Sequence, residues 1–167
     1  MHYEFYLVFL KNKSRFNILS WLIRRAQNTK YNHVEIMVRS VCGTRQLGSG
    51  VSYGAVYPYS RKITYPKLFK KYDLIKLEPI AIVGSEHDAI KELNRLCGRK
   101  YSFLQLVVLL FKVLFNELAE PVSKVKLNLD KYLICTELAA IFLEKCAGAK
   151  FNSAEALTLK DLDRKWM

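Results

Sequence analysis

Residues 32–39 read NHVEIMVR, and this short segment decides the predicted architecture. Polar and apolar residues alternate in it, as they do in a β-strand, where successive side chains point to opposite faces. His33, Glu35 and Met37 therefore share one face, and the aliphatic residues between them share the other. The alternation predicts a strand whose polar face is exposed.

A second segment, residues 132–143, reads YLICTELAAIFL. Beyond Cys135 the apolar residues recur at the spacing of one helix face, and Gly148 is of the type that commonly ends a helix. The predicted buried stripe consists of Leu138, Ile141 and Phe142. Cys135 is therefore expected at the N-terminus of a helix.

The rest of the chain adds strands and helices without an internal repeat. Strands are predicted at 3–10, at 45–53 after a turn at 40–44, and at 72–77, where Pro79 is expected to end the strand. Helices are predicted to begin at Ser14, at Ser85 (with Gly98 as its stop) and at Ser102, and a loop is predicted around Pro58 and Pro66. Because strands and helices do not alternate regularly, we expect a single α+β domain over residues 1–167, with an antiparallel sheet packed against helices.

The composition is that of a globular chain with reduced cysteines. Of the 167 residues, 51% are hydrophobic and 25% are charged, which suffices for a core without disulfides or a structural metal. The cysteines are widely spaced, unlike those of zinc sites or of small secreted domains. They are Cys42, Cys97, Cys135 and Cys146. We therefore predict a cytoplasmic chain without a metal or cofactor.

Charge and hydropathy limit the possible partners. The net charge of +12 favours anionic partners, but it is spread along the chain without a basic cluster or a nucleic-acid-binding motif. The apolar residues 104–115 contain Lys112 and are too few to span a membrane, and the N-terminal segment lacks signal-peptide features. Peripheral binding to an anionic membrane surface is one alternative, and nucleic acid is a less favoured partner.

Cys135 and His33 have the chemistry of a nucleophile and its base. A thiol attacks as thiolate, and the N–H groups and dipole of a helix N-terminus stabilise that charge. A neighbouring histidine can take the thiol proton, and the backbone N–H of Cys135 is a natural oxyanion donor. A third polar group usually orients the imidazole. Glu35 on the same strand, and Gln46 or Ser49 on the returning strand, are the candidates for that role.

The segments NHVEI and YLICTELAAIFL together resemble the signature of circularly permuted papain-like enzymes. This superfamily includes NlpC-like amidohydrolases and lecithin retinol acyltransferase-like proteins. In the permuted branch the histidine strand precedes the cysteine helix, as it does here. Further similar motifs follow in the same order over most of the chain: the pair at 50–51, YDLIKL, GRKYSF and FNSAEALTLKDL. The resemblance implies a permuted papain-like fold, with Cys135 as nucleophile and His33 as general base.

The sequence departs from this family at the third catalytic position. Family members often carry His, Asn, Gln or Glu there, whereas residues 46–50 read QLGSG, so Glu35, Gln46 and Ser49 all stay candidates. The resemblance implies cleavage of a peptide, peptidoglycan or lipid-linked amide through a thioester acyl-enzyme. The alternatives are a membrane-associated lipid acyltransferase or esterase on the same fold, and a catalytically silent basic binding module.

Overall fold

The structure is a computed structural model that describes residues 2–14, 18–41, 50–104, 106–107, 132–151 and 158–166. These residues form a seven-stranded sheet and flanking helices, which confirms the predicted α+β class. The strands are β1 (His2–Asn12), β2 (His33–Val41), β3 (Gly50–Val56), β4 (Tyr59–Thr64), β5 (Tyr72–Ile80), β6 (Lys100–Tyr101) and β7 (Tyr132–Leu133). The helices are α1 (Ile18–Gln27), α2 (Tyr65–Lys71), α3 (Glu86–Leu96), α4 (Cys135–Cys146) and α5 (Leu159–Trp166).

The strand order is β5-β1-β2-β3-β4-β6-β7, and every neighbouring pair is antiparallel except β6 with β7. The first strand pairs on both sides, with β2 and β5, and is buried on both faces. Phe5, Leu7 and Phe9 pack in a large core on one face, whereas Val8 and Leu10 pack in a smaller core on the other. A strand with two buried faces needs apolar residues at successive positions, which explains its composition.

The β2 strand carries the polar residues of the NHVEI segment into the interior. The predicted alternation is confirmed, because its aliphatic residues join the large core and Met37 joins the smaller one. The predicted exposure of the polar face is wrong, since His33 is only 6% exposed and Glu35 is fully buried. Groups from other strands cover these two residues, since the Tyr72 ring of β5 stacks on the His33 imidazole and the Glu35 side chain lies against Gly54 of β3. The unpredicted helix α2 packs Tyr65 and Leu68 in the same small core as Met37.

Two predictions that concern proline are also wrong. Pro79 does not end a strand but lies within β5, opposite Tyr6 of β1. Proline is tolerated there because β5 is an edge strand of the sheet, where a missing N–H breaks no ladder on the open side. The predicted loop around Pro58 and Pro66 contains β4 and the start of α2. Pro66 occupies the first turn of α2, where the missing N–H is not needed.

Other helix boundaries follow the predicted signals. The Ser85 hydroxyl accepts a hydrogen bond from the backbone N–H of His87 at 3.2 Å and caps α3. Gly98 and Gly148 follow α3 and α4 with φ of +82° and +68°, a left-handed conformation that favours glycine. The sequence therefore fixes the ends of both helices.

The helix α4 begins at Cys135, as predicted, and packs against β2 and β3. Its Phe142 is fully buried and stacks on Phe5 of β1, with ring centroids 5.9 Å apart. At its first turn, the Glu137 carboxylate accepts a hydrogen bond from the backbone N–H of Ile134 at 3.4 Å. The start of α4 is thus fixed both by packing and by its own cap.

Part of the predicted apolar helix lies outside the described residues. The backbone N–H of Leu106 donates to the Ser102 carbonyl at 3.2 Å, so this helix begins at Ser102 as predicted, while residues 108–131 are not described. Within the part of the chain that is described, none of the helices combines the length and apolar character needed to cross a bilayer.

Candidate active site

His33 and Cys135 meet at one end of the sheet. His33 is the first residue of β2, Cys135 is the first residue of α4, and their side chains lie close enough to interact electrostatically. Both are nearly buried, with exposures of 6% and 8%. The structure thus brings together the two residues that the sequence predicts as nucleophile and base.

Glu35 is the candidate third residue that contacts His33. Its Oε1 atom lies 2.9 Å from Nε2 of His33, and both side chains are buried. Two residues apart on one strand, they lie on the same face and can contact each other directly. The other two candidates, Gln46 and Ser49, lie outside the described residues.

Asn32 fixes the backbone immediately before His33. Its N–H donates to the Leu10 carbonyl at 3.0 Å, and its side-chain oxygen accepts from the Asn12 N–H at 2.9 Å. Its side-chain amide also donates to the Ser20 hydroxyl at 2.8 Å. Since these partners belong to β1 and α1, Asn32 ties two neighbouring elements to the start of β2.

The surroundings of His33 favour its charged form. Burial lowers the pKa of His33, but the electrostatic influence of Tyr72, hydrogen bonds to Cys135 and Glu35 and the charge of Cys135 outweigh burial and raise it well above 6.5. The Tyr72 ring also stacks on the imidazole, with centroids 5.1 Å apart. The protonated imidazolium form of His33 is therefore favoured near neutral pH.

Glu35 occupies the space above Gly54 of β3. A Cβ atom at Gly54 would lie 2.4 Å from Cγ of Glu35, so any side chain there would displace the carboxylate. Arg61 of β4 lies opposite Gly54 in the sheet, and its Nη2 atom is 3.9 Å from Oε1 of Glu35. Glycine on the middle strand thus lets charged residues of β2 and β4 approach each other.

A cavity of about 480 Å³ opens beside His33. Its wall is largely apolar and aromatic. Among the described residues that line it, the titratable groups are His33 and three tyrosines. The lining consists of Asn12, Ser20, Ile23, Asn32, His33, Ala55, Val56, Tyr57, Tyr72, Tyr101, Phe103 and Leu106. Cys135 is not part of this lining. The cavity suits an uncharged, apolar group held next to the imidazole.

Tyr101 lines the cavity and lies close enough to Cys135 to interact with it electrostatically. Burial raises the pKa of its phenol, and the charges of Cys135 and Tyr72 raise it further, so it stays protonated and can donate a hydrogen bond. The sequence analysis quoted the GRKYSF motif without assigning Tyr101 a role. It also missed Tyr72 and Arg61, and residues 59–64, YSRKIT, do not alternate cleanly because Arg61 stands where an apolar residue would complete the strand pattern.

Comparisons with known protein families, with characterised proteins and with solved structures found no match. Among the described residues, no group of three His, Cys, Asp or Glu side chains is arranged to hold a metal ion. The chemistry of the site is therefore interpreted from the contacts of Cys135, His33 and Glu35.

Proposed function

We propose that this chain is a cysteine hydrolase of the circularly permuted papain-like kind, which cleaves an amide bond through a thioester acyl-enzyme. One observation carries the proposal: Cys135 at a helix N-terminus lies beside His33, which in turn is hydrogen-bonded to Glu35. A nucleophile, a proton carrier and an orienting carboxylate in series form the arrangement that thiol hydrolases use. The resemblance of the two motifs to that superfamily supports the same function.

In the acylation step, the thiolate sulfur of Cys135 attacks the substrate carbonyl carbon. Glu35 engages Nε2 of His33, which leaves Nδ1 for the proton that Cys135 has given up. The backbone N–H of Cys135 is positioned by α4 to stabilise the oxyanion. When the C–N bond breaks, His33 donates its proton to the leaving amine and the acyl group stays on sulfur as a thioester.

In the deacylation step, neutral His33 takes a proton from water. The resulting hydroxide attacks the thioester carbonyl, the C–S bond breaks, and the carboxylic acid product leaves with Cys135 again as thiolate beside the His33 imidazolium. Glu35 keeps the same contact throughout, so the imidazole holds one orientation while its proton passes back and forth. The cycle consumes one water and needs no cofactor.

The proposal predicts that Cys135 is the reactive thiol of the folded chain. Burial raises the pKa of the Cys97 and Cys146 thiols, so both hold less thiolate near neutral pH and serve as internal references. At about pH 6 we expect iodoacetamide to alkylate Cys135 at least about tenfold faster than either reference, because a tenfold change corresponds to about one pKa unit. Peptide-level mass spectrometry over time measures each rate.

The His33→Ala variant is the control for this experiment. Without an imidazolium partner, Cys135 should react at the rate of an ordinary thiol. Equal rates for Cys135 in the parent chain and in the variant would contradict the proposed function and favour the silent binding module. Salt-dependent retention of the same folded protein on DNA would give that module positive support.

A second candidate function is cleavage or transfer of a lipid acyl group at an anionic membrane. The observation that favours it is the apolar cavity together with exposed apolar residues at its edge: Tyr57 is 73% exposed and Phe103 is 52% exposed, with Leu104 next to it at 60%. Such residues, on a chain of charge +12, suit contact with acidic lipid surfaces.

This second function predicts flotation of the protein with vesicles that contain anionic lipid. Because one buried apolar side chain contributes about 1.5–3 kcal/mol, the Phe103→Asp substitution should weaken binding by about tenfold or more. Val83→Asp is the matched control, since Val83 is 68% exposed and does not line the cavity. Failure of the parent chain to float with anionic vesicles would remove the support for this function.

A further inference from the structure

Glu35 is a buried carboxylate with only part of its hydrogen-bonding capacity used. It is fully buried, and its Oε1 atom contacts His33. Its Oε2 atom has no hydrogen-bond partner among the described residues. His33 pairs with one carboxylate oxygen, but a buried oxygen atom left without a donor is unfavourable, so Oε2 calls for a second donor nearby.

A cation of β4, on the far side of β3, lies close to Glu35: this is Arg61. Its side chain is 28% exposed, and its Nη2 atom lies 3.9 Å from Oε1 of Glu35, at the long end of an ion pair. Nε and Nη2 of Arg61 are buried and have no hydrogen-bond partner in the part of the chain that is described. Two Arg61 donors and one Glu35 acceptor, none of them hydrogen-bonded within the described chain, thus lie close together where Gly54 leaves room for the carboxylate.

We propose that Arg61 is a positioning residue that acts through Glu35. Its guanidinium holds the Glu35 carboxylate charged and directed at Nε2 of His33, and so maintains the imidazolium that partners the Cys135 thiolate. This inference rests on the proposed function and adds a fourth member to the series, from β4 through β2 to α4. A guanidinium suits the role, because its fork can engage both oxygens of a carboxylate.

Several titratable groups surround His33 and influence its charge as the pH changes. Glu35 faces it from its own strand, Tyr72 from β5 and Cys135 from α4. Tyr101 of β6 lines the same cavity. Arg61 acts on His33 only through Glu35. Removing Arg61 should therefore weaken the His33 imidazolium and lower the reactivity of Cys135, while the direct contacts of His33 and Cys135 stay in place.

The test measures Cys135 alkylation by iodoacetamide between about pH 5 and pH 9 in folded Arg61→Gln, Arg61→Lys and Arg39→Gln variants. Arg39 is the matched control, because its side chain is 29% exposed and forms a similarly long ion pair, 3.8 Å, with Glu4. We expect Arg61→Gln to lower the rate near neutral pH by about tenfold and Arg61→Lys to restore most of it. Arg39→Gln should leave the rate unchanged.

A double-variant cycle keeps the proposal testable if Arg61→Gln alone does not fold. The double variant Glu35→Gln/Arg61→Gln lacks both charged side chains. Its rate of Cys135 alkylation should equal that of the Glu35→Gln variant. A further tenfold loss in the double variant overturns the proposal, as does an Arg61→Gln rate equal to or above that of Arg39→Gln. If Cys135 in the parent chain reacts no faster than Cys97, the proposed function itself fails, which is a separate outcome.

Discussion

Replacing Cys135 by serine is expected to abolish acyl-enzyme formation and to lower kcat/KM by at least about 10⁴-fold, as loss of a nucleophile does in hydrolases. A serine hydroxyl holds its proton too firmly to form the ion pair with His33, so attack on the carbonyl is lost. The measurement uses 4-nitrophenyl esters and 4-nitroanilides of increasing acyl chain length. Intact-protein mass spectrometry after rapid acid quench detects the thioester.

The Cys146→Ser substitution is the matched control for this prediction. Cys146 is the last residue of α4 and, like Cys135, is 8% exposed, so the same atom is changed in the same helix at the same burial. Its thiol has no part in the proposed mechanism. Equal activities of the two variants, with both chains folded, would show that the nucleophile lies elsewhere.

The Glu35→Gln substitution is expected to lower kcat/KM by about 100-fold, because it removes the anion that supports the His33 imidazolium while keeping the shape of the side chain. The hydrogen bond to Glu35 is one of the contacts that raise the pKa of His33. Without the charge this pKa falls toward its ordinary value, so His33 loses its proton at a lower pH. The alkaline limb of the kcat/KM profile should therefore move to lower pH.

A pH–rate profile of kcat/KM for the parent chain and the variant measures this shift. Glu4→Gln serves as its control, because Glu4 lies on the adjacent strand β1 and pairs with Arg39 instead. An alkaline limb at the same pH in the Glu35→Gln and parent proteins would show that Glu35 is not the orienting residue.

Local sequence patterns predicted the two central residues of the site because both depend on short-range periodicity. Cys135 was placed at a helix start by the apolar spacing that follows it, and His33 was placed on a strand by alternation. These patterns reflect backbone geometry, which is the same in any tertiary context. Pro79 shows where such rules fail, because a proline that would break an inner strand is tolerated at a sheet edge.

The surroundings of the site could not be predicted in the same way. Glu35 was predicted on an exposed face, since nothing in residues 32–39 indicates that its side chain lies against Gly54 of β3 and near Arg61 of β4. The approach of Arg61 to Glu35 depends on β3 lying between them with glycine at position 54, a relation among three strands. Such a relation follows from strand order and register, which one sequence does not specify.

The order in which the site residues occur along the chain has a consequence for biosynthesis. The ribosome makes His33, Glu35 and Arg61 well before Cys135, which becomes useful only when α4 docks on β2 and β3. Until then the thiol has neither an imidazolium partner nor a folded helix N-terminus, and it behaves as an unactivated thiol. Under the proposed mechanism the nascent chain would acquire a reactive thiol only once α4 has docked, which would limit premature acylation or oxidation of Cys135.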